Sequence, residues 1–371
     1  MRAAVLNRQV RIMSIVGARP NFVKIAPLIK AMGAYGDAIV HKLVHTGQHY
    51  DAQMSKAFFD DLALPRPDTN LEVGSGSHAQ QTGWIMIGIG HVLKNFEPDV
   101  LLVVGDVNST LACALTAKKQ GVIVAHVEAG LRSFDMTMPE EINRLCTDAI
   151  SDMLFTTDRL ANANLAKEGV ADERIHFVGN VMIDSLMMHL DSARKMRTAH
   201  AMGLNEGGYA ILTLHRPANV DRPDKLVEIL AAVSDGAGDL PVIFPVHPRT
   251  GQRIERFGVG MPAGFHMMAP LGYLQFLDLI AGAALVMTDS GGIQEETTIL
   301  GVPCVTVREN TERPITLSEG TNHLAGIDRQ GILAAIGKAL SAPCGAVRPE
   351  KWDGQAGERI ISAIMQRVAG V

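Results

Sequence analysis

The chain has little of what marks several common classes of protein. Its 371 residues include four cysteines, scattered at positions 113, 146, 304 and 344 without a CxxC pair. This set predicts neither a disulfide framework nor a zinc site, and it favours free thiols in a reducing compartment. The first apolar run, residues 12–16, is too short for a signal peptide or a membrane span. We therefore expect a cytoplasmic protein without a metal.

The chain also lacks a large excess of charge of either sign. The formal net charge is −5 at pH 7, which argues against a general binder of nucleic acid or of anionic membranes. Any anionic ligand must therefore be met by local cations. With 47% apolar residues, a chain of this length is expected to form about two domains.

Short, nearly continuous apolar runs alternate with segments of helical period. Runs of this kind are typical of strands buried on both faces, and they lie at 12–16, 40–44, 100–104, 122–127, 175–178, 210–214, 242–244, 284–287 and 303–307. The alternation predicts an α/β fold with two doubly wound, Rossmann-like domains. We expect an N-terminal domain at 1–184, a C-terminal domain at 185–354 and a last helix, 355–371, that crosses back to the first domain.

The stretch DSGGIQEE at 289–296 follows one of these runs and opens a predicted helix. Two adjacent glycines allow a tight turn close to a ligand, and the N–H groups of a helix start favour phosphate. One turn later, Glu295 or Glu296 can accept hydrogen bonds from ribose hydroxyls. The stretch thus predicts a cradle for a nucleoside diphosphate. The alternative is an ordinary helix start capped by Asp289 or Ser290.

Carboxylates stand where two neighbouring apolar runs end, the place at which parallel sheets bind ligands. Asp106 follows one run and Glu128 ends the next. Asp106 suits a ligand site, and equally an N-cap for the helix predicted near Thr110. A buried Glu128 requires a partner, for which Arg132 or a ligand is the candidate.

A third carboxylate, Glu140, follows Pro139 at a predicted helix start, with Arg144 one turn later on the same face. The pair is either a surface ion pair or a carboxylate oriented by an arginine toward the same crevice. Several carboxylates in one cleft push their pKa values apart, which supplies an acid and a base at neutral pH.

Basic residues follow other strand ends. Arg19 and Lys24 flank the turn after the first run, where they can hold a diphosphate, and Arg313 can clamp phosphate from a loop in the second half. His215, followed by Arg216, ends a strand of the second domain. It is a candidate for a phosphate or acid/base role.

Taken together, these residues make the chain resemble the non-hydrolysing UDP-N-acetylglucosamine 2-epimerase family over almost its whole length. The resemblance rests on nine motifs in this order: GARPNFVK, HTGQHYD, GDVNST, HVEAGLRS, PEEINR, TLHRPANVD, PVHPR, DSGGIQEE and RENTERPI. It implies a GT-B-like fold whose two domains face a central cleft. It also implies a homodimer, a role in cell-surface polysaccharide biosynthesis and an active site without NAD or metal.

The resemblance also implies roles for individual residues. The implied UDP-binding set is Arg19, Lys24, Arg144, His215, Ser290, Gly291, Gly292, Glu296 and Arg313. The implied catalytic set is Asp106, Glu128, Glu140 and His215. Some bacterial relatives bind a second, activating UDP-N-acetylglucosamine where this chain has Gln48, Arg216 and His247, although Asp51 stands where those relatives have glutamine.

The implied reaction is the reversible epimerisation of UDP-N-acetylglucosamine to UDP-N-acetylmannosamine at C2. UDP leaves C1 as the C2 proton is removed, and it adds back to the resulting 2-acetamidoglucal. Departures from the family pattern at 217–219 and in GARPNFVK keep open an epimerase of a related sugar, such as UDP-2,3-diacetamido-2,3-dideoxyglucuronate. Alternatives of other classes are a glycosyltransferase on the same fold and a catalytically silent UDP-sugar sensor.

Overall fold

The computed structural model describes residues 8–48, 61–341 and 348–370. The chain divides into two compact units, one comprising Met1–Met188 with Glu350–Val371 and the other His189–Pro349. Each unit is built on one parallel β-sheet with helices between the strands. The predicted fold class, α/β with two Rossmann-like domains, is confirmed.

The sheet of the first unit has the strand order β3-β2-β1-β4-β5-β6-β7. Its strands are β1 (Val10–Val16), β2 (Ile39–His45), β3 (Thr69–Asn70), β4 (Val100–Val104), β5 (Ile123–Ala129), β6 (Met153–Thr156) and β7 (Ile175–Phe177). The helices that follow in chain order are α1 (Arg19–Gly33), α2 (His78–Phe96), α3 (Asn108–Lys119), α4 (Pro139–Ile150), α5 (Arg159–Lys167) and α6 (Val181–Met196).

The sheet of the second unit has the order β10-β9-β8-β11-β12-β13. Its strands are β8 (Ala210–Thr213), β9 (Val242–Pro245), β10 (Phe265–Met268), β11 (Leu285–Thr288), β12 (Cys304–Thr306) and β13 (Asn322–Leu324). The helices are α7 (Thr198–Ala201), α8 (Pro217–Val220), α9 (Pro223–Ala237), α10 (Pro248–Phe257), α11 (Tyr273–Gly282), α12 (Gly291–Leu300), α13 (Ile315–Ser318) and α14 (Arg329–Ser341). The last helix, α15 (Ala356–Ala369), belongs to the first unit.

The strand order places the candidate residues at one edge of each sheet. Chain order reverses at β1, which lies between β2 and β4, and at β8, which lies between β9 and β11. Doubly wound sheets bind ligands beyond the carboxyl ends of the strands at such a reversal. The loops after β1, β4 and β5 therefore meet in the first unit, and the loops after β8 and β11 meet in the second.

Four strands of the structure, β3, β6, β10 and β13, are absent from the sequence prediction. Three of them, β3, β10 and β13, are edge strands and carry polar residues such as Asn70, His266 and Asn322. An edge strand need not be apolar on both faces, so it lacks the continuous run of a central strand. The fourth, β6, is four residues long and follows α4 closely, so the helical pattern before it hides its start.

Among the described residues, no helix has both the length and the apolar composition needed to cross a lipid bilayer.

The C-terminal segment is anchored in the first unit by Trp352. This side chain is 1% exposed, and its indole N–H donates to the carbonyl of Thr157, 3.0 Å away, just after β6. Nearby, the N–H of Gly357 donates to Asp184 at 2.7 Å. A buried ring with a satisfied N–H ties residues 350–370 to the sheet.

We expect Trp352→Ala to lower the free energy of unfolding of the first unit by about 3–5 kcal/mol, the usual cost of deleting a buried aromatic side chain. Trp352→Phe keeps a six-membered aromatic ring but loses the hydrogen bond and the rest of the indole, so it should cost less, about 1–3 kcal/mol. Urea unfolding followed by circular dichroism measures both. Equal losses in the two variants would contradict a packing role for the ring.

Candidate active site

In the first unit, Glu128 and Lys24 form a salt bridge between side chains that are both buried. Glu128 is the penultimate residue of β5, and Lys24 lies in the second turn of α1, which follows β1. The sequence predicted Arg132 or a ligand as the partner of Glu128, and the prediction of Arg132 is wrong. Arg132 instead contacts Asp148 and Glu168, each at 2.7 Å. A buried lysine thus offsets the cost of burying this carboxylate.

The backbone at Glu128 is strained. Its φ is +71°, in the left-handed region, and the pairing of β5 with β6 shifts register between Val127 and Ala129. A residue other than glycine in this conformation costs about 1–3 kcal/mol, and such residues cluster at functional sites. The bulge therefore aims the Glu128 side chain at a cost in stability.

Gly105, just after β4, leaves room for this salt bridge. A Cβ at Gly105 would lie 3.1 Å from Lys24 Nζ and 3.4 Å from Glu128 Oε2, and its φ is +69°. Both the space and the backbone conformation favour glycine. The residue immediately before Asp106 thus lies against the Lys24–Glu128 salt bridge.

Asp106 faces Arg144 and does not cap a helix. Arg144 Nη1 lies 2.5 Å from Asp106 Oδ2, whereas α3 begins at Asn108 with Val107 as its N-cap. The alternative interpretation of Asp106 as a helix cap is therefore wrong. The side chain of Asn143 also donates to the Asp106 carbonyl at 2.9 Å. Arg144 and Asn143, both on α4, hold Asp106 from one side.

Glu141, which the sequence analysis passed over, holds Arg144 in place. Its Oε2 accepts from Arg144 Nε at 2.8 Å and Nη2 at 2.6 Å. The same Oε2 accepts from the backbone N–H of Ser133 at 3.0 Å, and Oε1 accepts from the backbone N–H of Phe134 at 2.9 Å. Burial alone would raise the pKa of Glu141, but these backbone hydrogen bonds and Arg144 hold the pKa below its ordinary value.

Of the two glutamates in PEEINR, the predicted catalytic Glu140 is half-buried, as the second residue of α4, while Glu141 is fully buried. Spacing alone favoured Glu140 as the partner of Arg144. The structure shows that Glu141, three residues before Arg144, carries that contact. Sequence spacing did not show that Glu141 accepts hydrogen bonds from the loop 131–138, and this contact buries its side chain.

A second residue missed by sequence reasoning is His126 of β5. Its Nδ1 lies 2.6 Å from Asp148 Oδ1 and its Nε2 lies 2.8 Å from the carbonyl oxygen of Gly105. A carbonyl only accepts, so Nε2 carries a hydrogen. His126 therefore fixes the backbone immediately before Asp106.

Three further residues from the sequence analysis are Gln48, Arg19 and Asp51, of which only Gln48 has a described side chain. Gln48 is buried, and its Oε1 accepts from the backbone N–H of Ser109 at 3.0 Å and from its hydroxyl at 2.6 Å. Arg19 is the first residue of α1, but its side chain lies outside the described residues, as does Asp51. Gln48 thus supports the loop after β4.

In the second unit, Asp289 lies directly after β11 and is completely buried. His215 Nδ1 lies 2.7 Å from Asp289 Oδ1, and the backbone N–H groups of His215 and Arg216 donate to Oδ2 at 2.9 and 2.8 Å. The side chain of Asn219 donates to the same oxygen at 3.0 Å. Of the two N-cap candidates, Ser290 therefore takes the position and Asp289 does not.

The glycine turn itself opens α12 as predicted. Gly291 and Gly292 are its first two residues, and the first N–H groups of a helix have no partner within it. Ser290 makes no side-chain cap bond, and its own N–H donates to Thr288 Oγ1 at 2.9 Å. Of the three backbone amides predicted to bind phosphate, at residues 290–292, the amide of Ser290 already donates a hydrogen bond within the protein.

Arg313 lies against this turn. A Cβ on Gly291 would stand 2.9 Å from Arg313 Cζ and 2.8 Å from Glu312 Oε1, so only glycine fits beside the guanidinium. Arg313 is paired with Glu295 at 2.9 Å and with Glu312 at 2.7 Å. A cation next to the helix start is suited to an anion.

Glu312 gathers three arginines. Besides Arg313, it contacts Arg308 at 2.8 Å and Arg216 at 3.7 Å. Burial would raise the pKa of Glu312, but the attraction of Arg313, Arg308 and Arg216 holds it well below the ordinary range. Glu312 therefore stays ionised and keeps these cations together.

Glu296 is buried one turn into α12. Burial, together with the charge of neighbouring Glu295, raises its pKa to about 8. A carboxyl group that is neutral at pH 7 can donate a hydrogen bond as well as accept one.

His247, predicted as a candidate activator contact, lies beside His215. The two ring centroids are 5.8 Å apart, and His247 Nδ1 accepts from the backbone N–H of Arg249 at 3.2 Å as the N-cap of α10. Arg216, from the same predicted set, contacts Glu312. The ring of His247 is therefore next to His215, a predicted UDP-binding residue of the same unit.

A family model described as UDP-N-acetylglucosamine 2-epimerase matches residues 35–365, most of the chain. The chain belongs to the UDP-N-acetylglucosamine 2-epimerase family. An epimerase is an isomerase, so the predicted family and enzyme class are both confirmed.

Individual relatives agree with the family match. The UDP-N-acetylglucosamine 2-epimerase of Methanococcus maripaludis is 42% identical over 360 residues, which cover 94% of this chain and 97% of the relative. The UDP-2,3-diacetamido-2,3-dideoxy-D-glucuronate 2-epimerase of Pseudomonas aeruginosa is 42% identical over 334 residues, covering 89% and 92%.

A solved structure shows the same fold. The crystal structure of the Methanocaldococcus jannaschii UDP-GlcNAc 2-epimerase in complex with UDP-GlcNAc and UDP matches with a TM-score of 0.90 and 41% identity. The match covers 96% of this chain and 99% of that one. The predicted GT-B-like fold is confirmed by this likeness.

We expect Glu141→Gln to lower the free energy of unfolding at pH 7 by about 1.5–3 kcal/mol, because it removes one of the two charged partners of the buried Arg144 and the charged acceptor of two backbone N–H groups. The folded-state pKa of Glu141 is depressed, so its stabilising effect is present at neutral pH and is lost as the pH falls through that value. The difference between wild type and variant should therefore shrink in acid. Urea unfolding at several pH values measures it.

Glu173→Gln is the control for this comparison, because Glu173 is exposed and its substitution should change stability by less than about 0.5 kcal/mol. A loss for Glu141→Gln that matched the control would contradict the assigned role.

We expect the opposite pH dependence for Glu296. Its pKa rises from 4.5 to about 8 on folding, so the folded chain retains a proton that the unfolded chain releases between these values. The stability of wild type relative to Glu296→Gln should therefore fall as the pH rises through this window. Thermal unfolding of the ligand-free protein across the window measures it, and a constant difference would refute the raised pKa.

Proposed function

We propose that the chain interconverts UDP-N-acetylglucosamine and UDP-N-acetylmannosamine by inverting C2 of the sugar. The observation that carries the proposal is that Asp106 and Glu128 lie at the carboxyl ends of the neighbouring strands β4 and β5 and are each salt-bridged to a buried cation. Two adjacent carboxylates suit proton removal and proton delivery at one carbon. The names and the bound UDP-GlcNAc of the relatives support the choice of substrate.

The reaction proceeds by elimination and re-addition. A carboxylate takes the C2 proton, the C2–H electron pair forms the C1–C2 double bond, and the C1–O bond breaks with its electron pair going to UDP. The products, 2-acetamidoglucal and UDP, recombine as C2 receives a proton on the opposite face. Elimination is required because C2 has no neighbouring carbonyl to acidify its hydrogen.

The side chains take roles that match this chemistry. We assign proton transfer at the sugar to Asp106, Glu128 and Glu140, and a role at the diphosphate to His215. UDP would be bound by Arg19, Lys24, Arg144, His215, Ser290, Gly291, Gly292, Glu296 and Arg313. Support comes from Arg313 beside the start of α12, where a helix N-terminus and a guanidinium both favour the charge of departing UDP.

A second candidate substrate is UDP-2,3-diacetamido-2,3-dideoxy-D-glucuronate. The Pseudomonas aeruginosa enzyme named for it is as similar to this chain as the Methanococcus maripaludis enzyme, at 42% identity each. The chemistry at C2 would be the same, so only the pocket for the rest of the sugar would differ. The homodimer, the cytoplasmic location and the role in cell-surface polysaccharide synthesis remain predictions.

NMR of the purified protein with each UDP-sugar separately tests the function. We expect both C2 epimers to appear from the preferred sugar, with deuterium at C2 when the solvent is deuterium oxide. Release of free sugar or a requirement for an acceptor would favour a hydrolase or a glycosyltransferase. Epimers that retain protium at C2 would contradict solvent-exchanging proton transfer.

We expect Asp106→Asn to lower kcat by roughly 10² to 10⁴ while UDP binding, measured by calorimetry, is largely kept. Asp152→Asn is the matched control. Asp152 also forms a salt bridge with a lysine, Lys118, but it precedes β6 at the amino end of the strand, away from the candidate site. Its variant should turn over near the wild-type rate, and equal losses in the two variants would remove Asp106 from the chemistry.

A further inference from the structure

We infer that Asp289 is a positioning residue that holds His215 in one tautomer and ties its ring to the phosphate-binding turn. The inference rests on the proposed function in one respect, that His215 acts on the UDP-sugar. It adds a residue to which neither the family match nor the sequence motifs gave a role beyond a helix cap.

The surroundings of Asp289 require its carboxylate to act as a hydrogen-bond acceptor. The carboxylate is completely buried, and the backbone N–H groups of His215 and Arg216 and the amide of Asn219 all reach it as donors. Donors on the same oxygen require an acceptor there. Burial would raise the pKa of Asp289, but the charge and hydrogen bonds of His215 and the N–H of Arg216 hold it below the ordinary value. An ionised carboxylate is an acceptor on both oxygens.

This role sets the state of the imidazole. Since Asp289 Oδ1 accepts, His215 Nδ1, 2.7 Å away, must carry the hydrogen. In the neutral ring the other nitrogen, Nε2, then has a free lone pair. The side chain of His215 is 38% exposed, so part of the ring is open to a ligand. The ring is thereby prepared to take a proton at Nε2 and to donate it again.

The same carboxylate couples the ring to the turn. Asp289 immediately precedes Ser290 and the glycines that begin α12, and its own N–H donates to the carbonyl of Thr213 at 3.3 Å. The loop after β8 and the loop after β11 are thus joined at one buried residue. A diphosphate bound at the start of α12 would meet an imidazole whose position is set from the adjoining residue.

The charges around His215 are consistent with this arrangement. Asp289 lies behind the ring, and His247 lies beside it with a centroid separation of 5.8 Å. The adjacent Arg216 is directed to Glu312. Asp289 is therefore placed to stabilise His215 when the ring is protonated as UDP leaves, the role of the aspartate in a catalytic triad.

The decisive variant is Asp289→Asn. Its amide NH₂ would have to donate to His215 Nδ1 or lose the contact, which moves the ring hydrogen to Nε2. We expect kcat to fall by roughly 10² to 10⁴, as expected for a general acid or base in the wrong tautomer, while KM changes much less. A similar fall in a matched control, Asp278→Asn, would overturn the inference. Asp278 is also a buried aspartate of this unit that accepts a backbone N–H, from Thr198 at 2.6 Å, but it lies within helix α11 and does not follow a strand.

A double-mutant cycle separates positioning from simple loss of structure. If Asp289 acts through His215, then Asp289→Asn should have little further effect on kcat in a His215→Gln background. Independent effects would multiply and would overturn the inference. A His215→Gln variant with wild-type kcat would instead contradict the proposed function, so the two failures are distinguishable.

The tautomer can be read directly in the wild-type protein, without relying on a variant that folds. Long-range ¹H–¹⁵N spectra of protein labelled at histidine, with the His215 signals assigned by their absence in His215→Gln, should show the hydrogen on Nδ1 above the pH at which the ring is protonated. A hydrogen on Nε2 would overturn the inference.

Discussion

A carboxylate that leaves water must find a cation or several N–H donors, and the candidate site depends on how this requirement is met. Glu128 meets it with Lys24, Asp106 with Arg144, and Asp289 with three N–H donors and an imidazole. Each partner that neutralises a carboxylate also holds it in one orientation. The contacts that offset the cost of burying charge therefore also preorganise the site, and preorganised charges are a major source of catalysis.

The partners come in layers. Arg144 is held by Glu141, and Glu141 also fixes the loop that begins at Ser133. Arg313 is held by Glu312, which gathers two further arginines. Removing Glu141 or Glu312 takes a charged partner from a buried arginine, so the effect should extend to the residues that this arginine contacts.

Sequence reasoning succeeded where the signal was local. Apolar runs identified the central strands, strand-turn-helix patterns located the ligand loops, and ordered motifs identified the family. It failed where the signal was distant or absent. The edge strands β3, β10 and β13 lack an apolar run, and the choice of Arg132 as the partner of Glu128 followed chain proximity, whereas the true partner, Lys24, comes from α1.

By itself, the sequence determined the two α/β domains, the family and the residue types at the strand ends, because hydrophobic period, glycine turns and motif order are properties of short segments. Tertiary structure alone decided which charges meet. Lys24 reaches Glu128 because β1, β4 and β5 are neighbours in the sheet, and Asp289 reaches His215 because β11 pairs with β8. Strand order brings distant loops to one edge, and no local pattern records which side chains then come within a few ångströms of each other.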